Sequence, residues 1–467
     1  MIYKDESELF GSGALDLKGN DIEIKDEKLF QSKVIDNLAD TIILSNSMHL
    51  KRLCYWVIYE AAIKMGITLS SIHTLYRARA KDNLTHFTVP AMNLRTLTYG
   101  LSRAVFRVAN RINSGTFIFE IAKSEIGYTS QRPVEYVSSI LLAAMKEGFK
   151  GPVFIQGDHF QIKAKNFLAD RDKEINQLKS LITEAIDAGF YNIDIDSSTL
   201  VDLSKPTIDE QQKLNYGVCA SLTKFIRSLQ PQGIEISVGG EIGEVGGKNS
   251  TPDELRAFMK GYLFETEGLE GISKISIQTG TTHGGVVLPD GSIAKVSIDF
   301  DTLKNLSSIA RKEFGMAGAV QHGASTLPND AFHRFPEVEC AEIHLATQFQ
   351  NIVYDYIPIP LKEKIYAWIN KECAAERKPE QTNDQFIYKL RKKALGPFKR
   401  EIYSLSRDVK NKIFSALEEE FAFLFDKLSI QNTKPLVDKY VKTTAIKKRK
   451  EDFLKEEKDL GELEGAD

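Results

Sequence analysis

The sequence predicts an α/β fold, a closed (β/α)8 barrel of the TIM-barrel type, with a helical extension at each end. Between residues 87 and 356, short apolar runs that end in Gly, Asn, Asp or Ser alternate with longer amphipathic stretches, as in βαβ units. The runs number eight, which is the strand count of this barrel. Outside this region the alternation is absent, and the apolar spacing is helical.

The same pattern divides the chain into three parts. Residues 1–86 form a helical N-terminal extension, because residues 28–80 carry apolar positions at helical spacing. Residues 87–356 form the barrel, and residues 357–467 form a C-terminal extension of helices with mixed charge. An open doubly wound sheet is the alternative to a closed barrel, since both arise from alternating strands and helices.

The predicted strands are separated by amphipathic stretches long enough for one helix each. One stretch ends in AIDAG, where Gly189 is typical of a helix C-cap. The eight strands are expected at residues 88–93, 116–122, 152–158, 192–198, 234–241, 273–280, 318–323 and 341–347.

Composition narrows the classes of function. The net charge of the 467 residues is -3, and the basic run at residues 447–450 is followed by acidic residues. Neither nucleic acid nor a membrane surface is therefore expected as a partner, and a small molecule is favoured. The four cysteines form no CxxC pair, which favours a reducing compartment. The N-terminus lacks the apolar core of a signal peptide, and no apolar run could span a bilayer, so a cytoplasmic protein is expected.

Four of the eight histidines lie at the carboxyl ends of predicted strands, where a barrel of this kind places its active site. They follow strands three, six, seven and eight, in QGDH, GTTHGG, VQHGAS and EIHLAT. A single such histidine is more often structural. Several imidazoles beside small glycines and acidic residues indicate a catalytic zinc ion with an open position for substrate. The four are His159, His283, His322 and His344.

Carboxylates occupy neighbouring strand ends. Asp196 ends strand four, and Glu241 and Glu244 follow strand five. Such residues can simply cap the next helix, and Asp196 before Ser-Ser-Thr fits that role. Asp158 directly precedes His159, and a carboxylate beside a metal ligand can exchange a proton with an oxygen that the metal polarises.

Glycines after strands six and seven point to an anion. Gly323 and Ser325 lie in a small-residue turn after His322, where barrels commonly hold a phosphate with backbone N–H groups. Gly284 after His283 is a further candidate donor. No P-loop or GxGxxG pattern is present in the sequence, so nucleotide binding is not indicated.

Taken in order, these motifs resemble the class II, metal-dependent fructose-bisphosphate and tagatose-bisphosphate aldolases. The resemblance runs over residues 88–350 and rests on seven collinear motifs. They are VPAMN, QGDH, DIDSS, GGEIGEVGG, GTTHGG, IDFDTL and VQHGAS.

The resemblance implies roles for individual residues and a zinc cofactor. It implies reversible aldol cleavage of a phosphorylated ketose to dihydroxyacetone phosphate and an aldehyde, with Asp158 as catalytic acid/base. One catalytic Zn²⁺ is expected, with a second divalent or monovalent cation as a further possibility. A homo-dimer or homo-tetramer is also expected. The implied zinc ligands are His159, His283 and His322, the implied metal-associated carboxylates are Glu241 and Asp196, and the implied substrate-binding residues are Gly284, Gly323, Ser325, Thr347 and Asn93.

The sequence departs from the family pattern at three places. Strand eight reads His344-Leu345-Ala346-Thr347, where the family has Asn-Ile-Asp-Thr. The loop after the glycine pair reads Lys-Asn-Ser without the glutamate of many members, and Gln156 replaces the first histidine of HxDH. His344 is therefore a catalytic candidate that either donates to the substrate oxygen, approaches the metal, or fills the upper layer of the barrel.

Three functions follow as hypotheses. The first is a class II aldolase acting on a ketose bisphosphate. The second is a related aldolase or lyase for a different ligand, which the altered strand eight favours. The third is a metal-binding barrel without catalysis that serves as a scaffold subunit. Asp158 beside the histidines argues against this third function.

Overall fold

A computed structural model of the chain describes residues 1–243, 248–280 and 297–454. Its strands are all short except one, and most are fully buried. In chain order they are β1 (Leu15–Lys18), β2 (Asp21–Ile24), β3 (Ile67–Ser70), β4 (Val89–Asn93), β5 (Ile118–Ala122), β6 (Gly151–Gln161), β7 (Asn192–Asp196), β8 (Ser237–Glu241), β9 (Lys274–Ile277), β10 (Ala319–Gln321) and β11 (Glu342–Leu345).

Strands β4 to β11 form a closed parallel barrel. The hydrogen-bonded order runs β6, β5, β4, β11, β10, β9, β8, β7, and β7 pairs again with β6 to close the ring. Seven of the eight strands lie within predicted segments and β6 covers the remaining segment, so the predicted (β/α)8 barrel is confirmed. The open-sheet alternative is wrong, because an open sheet would leave β6 and β7 as unpaired edges.

The third barrel strand is longer than the sequence predicts. The predicted strand ends at Asp158, whereas β6 continues to Gln161. The register with β7 shifts between Gly157 and Phe160, so β6 contains one extra residue there. His159 has a positive φ of 39°. Such a β-bulge reorients side chains that would otherwise alternate strictly along the strand. Here the bulge lies at Asp158 and His159, the adjacent residues that the sequence predicts as the catalytic acid/base and a zinc ligand.

Helices surround the barrel and join its strands. Gly189 ends one of them with a φ of 100°, which confirms the predicted C-cap. Thr251 and Glu254 form a capping box that starts another. The helices are Thr98–Arg111, Lys123–Tyr128, Pro133–Lys146, Ala164–Ala169, Arg171–Ala188, Ile208–Leu229, Pro252–Glu265, Phe300–Phe314, Arg334–Glu337 and Thr347–Tyr356, with 3₁₀ turns at Ser198–Leu200, Ala324–Thr326 and Asn329–Ala331.

The N-terminal extension is helical over most of its predicted range but also contains three strands. β1 and β2 form an antiparallel hairpin, and β3 pairs in parallel with the first residues of β6. β7 pairs only with the later part of β6, so β3 fills the edge that β7 leaves open. A four-residue strand such as β3 depends on its hydrogen bonds to β6, which is distant in sequence. It is too short to show the alternation of apolar and polar residues by which a strand is predicted. The helices are Glu6–Phe10, Glu27–Leu29, Phe30–Val34, Ile35–Leu44, Met48–Lys64 and His73–Lys81.

The C-terminal extension packs against the amino-terminal ends of the barrel strands. The N–H of Thr88, just before β4, donates to Leu428 O at 3.0 Å, and the N–H of Gly115, before β5, donates to Thr433 Oγ1 at 3.2 Å. The extension therefore braces the end of the barrel opposite to the predicted active site. Its helices are Ile359–Glu372, Asn383–Leu390, Lys399–Tyr403, Arg407–Lys427, Lys434–Tyr440 and Lys450–Leu454, with 3₁₀ turns at Ala374–Glu376 and Arg391–Ala394.

Among the described helices, none combines the length and apolar character that crossing a bilayer requires.

Candidate metal centre and active site

Six of the predicted site residues lie together at the carboxyl ends of the barrel strands. They come from β6, β7, β8, β11 and the residue after β10, and parallel strands in a barrel bring these ends to one mouth. All are buried except His159, which is partly exposed. The six are Asp158, His159, Asp196, Glu241, His322 and His344.

Three of these side chains form what we call the outer group, namely His159, Glu241 and His322. One ligand atom from each lies within 4.8 Å of the others. The rings of His159 and His322 are 4.3 Å apart between centroids, and Glu241 Oε2 is 3.6 Å from His159 Nδ1. Two imidazoles and a carboxylate are a donor set that suits a catalytic zinc ion, so the residues present fit the metal that the sequence predicts.

Each imidazole of the outer group has a partner for one ring nitrogen. Asp196 Oδ2 lies 3.1 Å from His159 Nδ1, and Ser276 Oγ lies 3.0 Å from His322 Nε2. Histidines that bind metals commonly engage their second nitrogen in this way, which fixes the ring and its tautomer. Asp196 also accepts from Ser198 N at 3.1 Å, so it caps the following turn and orients a histidine at once.

Asp158 lies between the outer group and His344. Its Oδ1 is 3.1 Å from His344 Nδ1 and 4.0 Å from His159 Nε2. Burial disfavours the charged form, but the charges of His159 and His344 outweigh burial and hold the pKa of Asp158 well below its usual value. The side chain is thus an ionised carboxylate that can accept a proton.

His344 points into the barrel and is surrounded by carboxylates. Glu120 Oε2 lies 3.0 Å from its Nδ1, and Glu342 Oε1 lies 2.8 Å from its Nε2. Its ring centroid is 4.1 Å from that of His322. Burial lowers the pKa of His344, but Glu120 and Asp158 outweigh burial and raise it well above its usual value. The ring therefore has polar partners on both sides, whereas a residue that only fills the layer would have apolar ones.

A buried charge network inside the barrel was not predicted from the sequence. Lys274 Nζ donates to Glu342 Oε1 at 2.5 Å, to Gln156 Oε1 at 2.7 Å and to Asp194 Oδ2 at 2.8 Å. The hydroxyl of Tyr76, from the N-terminal extension, donates to Glu342 as well. Burial opposes the charge on Lys274, but Asp194 and Glu342 outweigh it, and the pKa of the ammonium is raised.

The sequence contained a signal for this network. Glu120, Lys274 and Glu342 each interrupt an apolar strand, in FIFEIA, SKISI and AEIHL. Because side chains alternate across a strand, Glu342 and His344 must share one face. A charged residue on the inward face of a barrel strand needs a partner across the barrel, and the sequence does not identify that partner.

The predicted substrate-binding residues that the structure describes lie at the same mouth with contacts of their own. Gly323 has a φ of 71° and begins the turn Ala324–Thr326. Ser325 Oγ accepts from Ala346 N at 2.6 Å, which ties the loop after β10 to the end of β11. Asn93 donates to the Glu125 carboxylate, and Thr347 is the first residue of its helix. Their proposed roles in binding substrate remain predictions.

Three residues named from the sequence, His283, Gly284 and Glu244, lie outside the described residues.

Comparison with known proteins agrees with the resemblance in the motifs. A protein-family model described as fructose-bisphosphate aldolase class-II matches residues 74–411. The match extends beyond the barrel on both sides, from within helix His73–Lys81 to within helix Arg407–Lys427. A search of curated proteins finds no match.

Several solved structures are similar to this chain at low sequence identity. A probable tagatose 6 phosphate kinase from Sinorhizobium meliloti 1021 has a TM-score of 0.52 and 15% identity, over 76% of this chain and 90% of that one. The YdjI aldolase from Escherichia coli K12 gives 0.46 and 14%, over 78% and 98%. A fructose-bisphosphate aldolase from Campylobacter jejuni gives 0.48 and 16%, over 78% and 97%. The first of these supports the barrel fold.

Proposed function

Because the chain belongs to the class II fructose-bisphosphate aldolase family, we propose that it catalyses reversible aldol cleavage of a phosphorylated ketose. The substrate is of the fructose- or tagatose-bisphosphate type, and the products are dihydroxyacetone phosphate and an aldehyde. The catalytic unit is the barrel of residues 87–356. Assembly as a homo-dimer or homo-tetramer and a cytoplasmic location are further parts of this proposal.

The observation that supports this function best is the convergence of the outer group beside the buried carboxylate of Asp158. We propose that His159, His322 and Glu241 hold one zinc ion together with His283. A zinc ion bound there supplies a Lewis acid that polarises a carbonyl oxygen. Asp196 and Ser276 would keep His159 and His322 in the orientation that ligation requires.

In this proposal Asp158 moves the proton. In the cleavage direction it takes the proton from the hydroxyl group whose carbon becomes the aldehyde, and the electron pair of the broken carbon–carbon bond stays on the ketone fragment. In the condensation direction it returns the proton to the aldehyde oxygen. An aspartate carboxylate is ionised near neutral pH and can therefore accept this proton.

The phosphate and hydroxyl groups of the substrate would meet the loops at the mouth. Backbone N–H groups of the turn that Gly323 begins, with Gly284, are proposed to hold one phosphate. Ser325, within this turn, accepts from Ala346 N, which brings Thr347, at the N-terminus of a ten-residue helix, beside the turn. Asn93 is proposed to contact the ketose from β4.

A cleavage assay tests the function. Purified protein is incubated with fructose bisphosphate or tagatose bisphosphate, with zinc or with a chelator, and dihydroxyacetone phosphate is measured. We expect product only with metal, and His159→Ala should abolish both zinc binding and turnover. His49→Ala changes an exposed histidine of the N-terminal extension and should leave both unchanged. Turnover that survives the chelator, or zinc retained in full by His159→Ala, would contradict the proposal.

A second candidate, an aldolase for a different ligand, is favoured by the position of His344. The family has an asparagine here, whereas this imidazole lies between Glu120 and Glu342. The double variant His344→Asn, Ala346→Asp restores the family pattern. For an enzyme acting on ordinary ketose bisphosphates, activity should stay within about tenfold, or about 1.4 kcal/mol of transition-state stabilisation. A rise on fructose or tagatose bisphosphate would instead favour the second candidate.

A further inference from the structure

The N-terminal extension reaches the candidate site through a path of buried side chains. Tyr76 lies on helix His73–Lys81 and is fully buried, and its hydroxyl donates to Glu342 Oε2. Glu342 Oε1 is 2.8 Å from His344 Nε2, and His344 Nδ1 is 3.1 Å from Asp158 Oδ1. These side chains form one continuous hydrogen-bonded path from the extension to Asp158. We propose that Tyr76 is a positioning residue, which holds the ring of His344 in place through Glu342.

The helix that carries Tyr76 is fixed against the amino-terminal ends of the barrel strands. Arg79 lies further along the same helix and is fully buried. Its guanidinium donates to Phe87 O at 2.6 Å, to Cys340 O at 3.0 Å and to Ala317 O at 3.1 Å. These carbonyl groups lie just before β4, β11 and β10. Side chains three residues apart on a helix are neighbours, so the anchor at Arg79 also fixes the position of Tyr76.

The two carboxylate oxygens of Glu342 have different partners. Oε1 accepts from Lys274 at 2.5 Å and from Gln156 at 2.9 Å, besides its contact with His344. Oε2 accepts from Tyr76 alone among the described residues. Glu342 is fully buried, so loss of the Tyr76 hydroxyl would leave Oε2 without a hydrogen bond. Because a buried acceptor without a partner is costly, the carboxylate would rotate to share its other donors, and its hold on His344 would weaken.

The direction of the hydrogen bond from Tyr76 is fixed by charge. Burial raises the pKa of Tyr76, and the negative charge of Glu342 raises it further, to well above its ordinary value. Burial opposes the charge on Glu342, but Lys274 and the hydrogen bond from His344 outweigh burial and lower the pKa of Glu342 to about 2. A neutral hydroxyl beside an ionised carboxylate can only donate to it.

The His344 ring transmits this hold to the opposite side. With Nε2–H donating to Glu342, Nδ1 faces Asp158 and Glu120, which lie 3.1 Å and 3.0 Å away. A rotation of the ring would lengthen both contacts and release the side chain of Asp158. Proton transfer is sensitive to small displacements of the group that accepts the proton. This role for Tyr76 rests on the proposed function, in which Asp158 moves the proton.

Cleavage kinetics of the full chain with zinc test the proposal. Tyr76→Phe removes the hydroxyl and keeps the ring, so the protein should fold and retain its zinc. With fructose or tagatose bisphosphate we expect kcat to fall roughly tenfold and KM to change by less than about twofold, because the phosphate-binding loops are unchanged. The matched control is Tyr59→Phe, which removes a buried hydroxyl of the same extension that donates to Ala188 O at 2.6 Å. It should lower stability in a similar way and leave kcat unchanged.

A double-mutant cycle tests whether the effect passes through His344. The variant His344→Asn, Ala346→Asp lacks the imidazole that Glu342 holds. Adding Tyr76→Phe to this variant should change kcat by less than about twofold, against the roughly tenfold loss in the unmodified background. An equal loss in both backgrounds would overturn the proposal. So would an unchanged kcat in Tyr76→Phe, or an equal loss in Tyr59→Phe.

The imidazole of His344 can also be observed without substrate. In protein labelled with ¹³C at the histidine rings, the NMR signal of His344 is the one that disappears in the variant His344→Asn, Ala346→Asp. We expect this signal to shift or broaden in Tyr76→Phe and to stay in place in Tyr59→Phe. A signal that is identical in Tyr76→Phe and the unmodified protein would overturn the proposal.

The outcome is separable from that of the proposed function. Active cleavage, with kcat and the His344 signal both unchanged in Tyr76→Phe, overturns the role of Tyr76 and leaves the aldolase proposal intact. A His344 signal that shifts only in Tyr76→Phe, without cleavage of any ketose bisphosphate, supports the hold of Tyr76 on His344 and contradicts the aldolase proposal.

Discussion

At the scale of single residues, the candidate site depends on pairs in which a buried acceptor fixes an imidazole. Asp196 fixes His159, Ser276 fixes His322, and Glu342 fixes His344. An imidazole held this way loses little further conformational freedom when it binds a ligand. The pair of Glu342 and His344 is specific to this chain, because the class II aldolases that the chain resembles have an asparagine at the position of His344.

Asp158→Asn tests the proton step. The amide keeps the size of the side chain but accepts no proton, so turnover should fall by a factor of roughly 100 or more. The zinc of the outer group should remain, because its three described ligands are unchanged. Steady-state kinetics and metal analysis check both statements. Asp202→Asn, at a partly exposed aspartate after β7, is the matched control, and unchanged turnover in Asp158→Asn would remove Asp158 from the mechanism.

Lys274→Met tests the buried network. Removal of the ammonium takes the lysine partner away from both Asp194 and Glu342, and breaking such a buried pair costs roughly 3–5 kcal/mol of the free energy of unfolding. Urea unfolding measures this loss. Lys213→Met, at an exposed lysine, should change stability by less than about 0.5 kcal/mol.

A double variant tests whether the loss comes from unpaired charge. Adding Glu342→Gln to Lys274→Met removes one of the two stranded carboxylates and should recover part of the stability. A double variant less stable than Lys274→Met alone would mean that Glu342 stabilises the barrel through contacts other than the ion pair.

At the scale of elements, the bulge in β6 positions the site. Asp158 and His159 are adjacent in sequence, and a regular strand would send them to opposite faces of the barrel wall. The extra residue between Gly157 and Phe160 and the positive φ of His159 let both side chains join the same cluster. A Cβ atom on Gly157 would lie 2.5 Å from the ring of Phe160, so the bulge needs a glycine there.

Two glycine substitutions separate this effect from ordinary crowding. Gly157→Ala and Gly100→Ala both place a methyl group against an aromatic ring, that of Phe160 or that of Phe414 in the C-terminal extension. Each should lower the free energy of unfolding by about 1–3 kcal/mol. Gly157→Ala should also weaken zinc binding, because Gly157 adjoins the bulge that contains His159. Gly100→Ala should leave zinc binding unchanged, because Gly100 lies on helix Thr98–Arg111. Calorimetric zinc titration checks this, and equal zinc affinities in the two variants would contradict the role assigned to the bulge.

At the scale of the whole molecule, a bound metal would link strands that are distant in sequence. His159, Glu241 and His322 come from β6, β8 and the end of β10, so none of the three is near another in an unfolded chain. A ligand that binds only the folded state stabilises it by about 2.7 kcal/mol at a free concentration of about 100 times Kd. Thermal unfolding should therefore show a higher Tm with zinc than with a chelator.

The variants provide the controls for this measurement. His159→Ala should lose most of the zinc-dependent rise in Tm, whereas His49→Ala should retain it. A rise of equal size in both variants would mean that zinc acts elsewhere on the protein.

The N-terminal extension holds the barrel through an acid-sensitive contact. Glu270 accepts from His73 at 3.2 Å and pairs with Arg77, both on helix His73–Lys81. The hydrogen bond from His73, with Arg77, outweighs partial burial and lowers the pKa of Glu270 to about 2. Its value in an unfolded chain is about 4.3. The stabilisation is therefore present above the unfolded pKa and is lost as the pH falls through the folded value.

Glu270→Gln tests this contact. The difference in free energy of unfolding between the unmodified protein and the variant should be largest above about pH 5 and should vanish towards about pH 2. Glu235→Gln changes a glutamate 3.8 Å from His73 and should show a smaller difference. A difference that does not depend on pH would mean that the Glu270 carboxylate is not ionised in this contact.

The amino-acid sequence by itself determined the barrel and named most of the residues at its mouth. Apolar runs, helix caps and motifs such as QGDH are local signals, because strand and helix formation depend on neighbouring residues. Carboxyl ends of parallel strands must meet at one mouth, so Asp158, His159 and His322 could be grouped before any distance was known.

Only the tertiary structure decided which side chains meet inside the barrel. The bulge at His159, the parallel strand at Ile67–Ser70 and the partners of Lys274 depend on strand register and on closure between β6 and β7. A shift of one residue in register reverses the face of every side chain on a strand. The contact between His344 and Glu120 is of this kind, because β5 and β11 must come together in the barrel before the carboxylate of Glu120 can reach the imidazole, whereas Glu342 lies two residues from His344 on β11 itself.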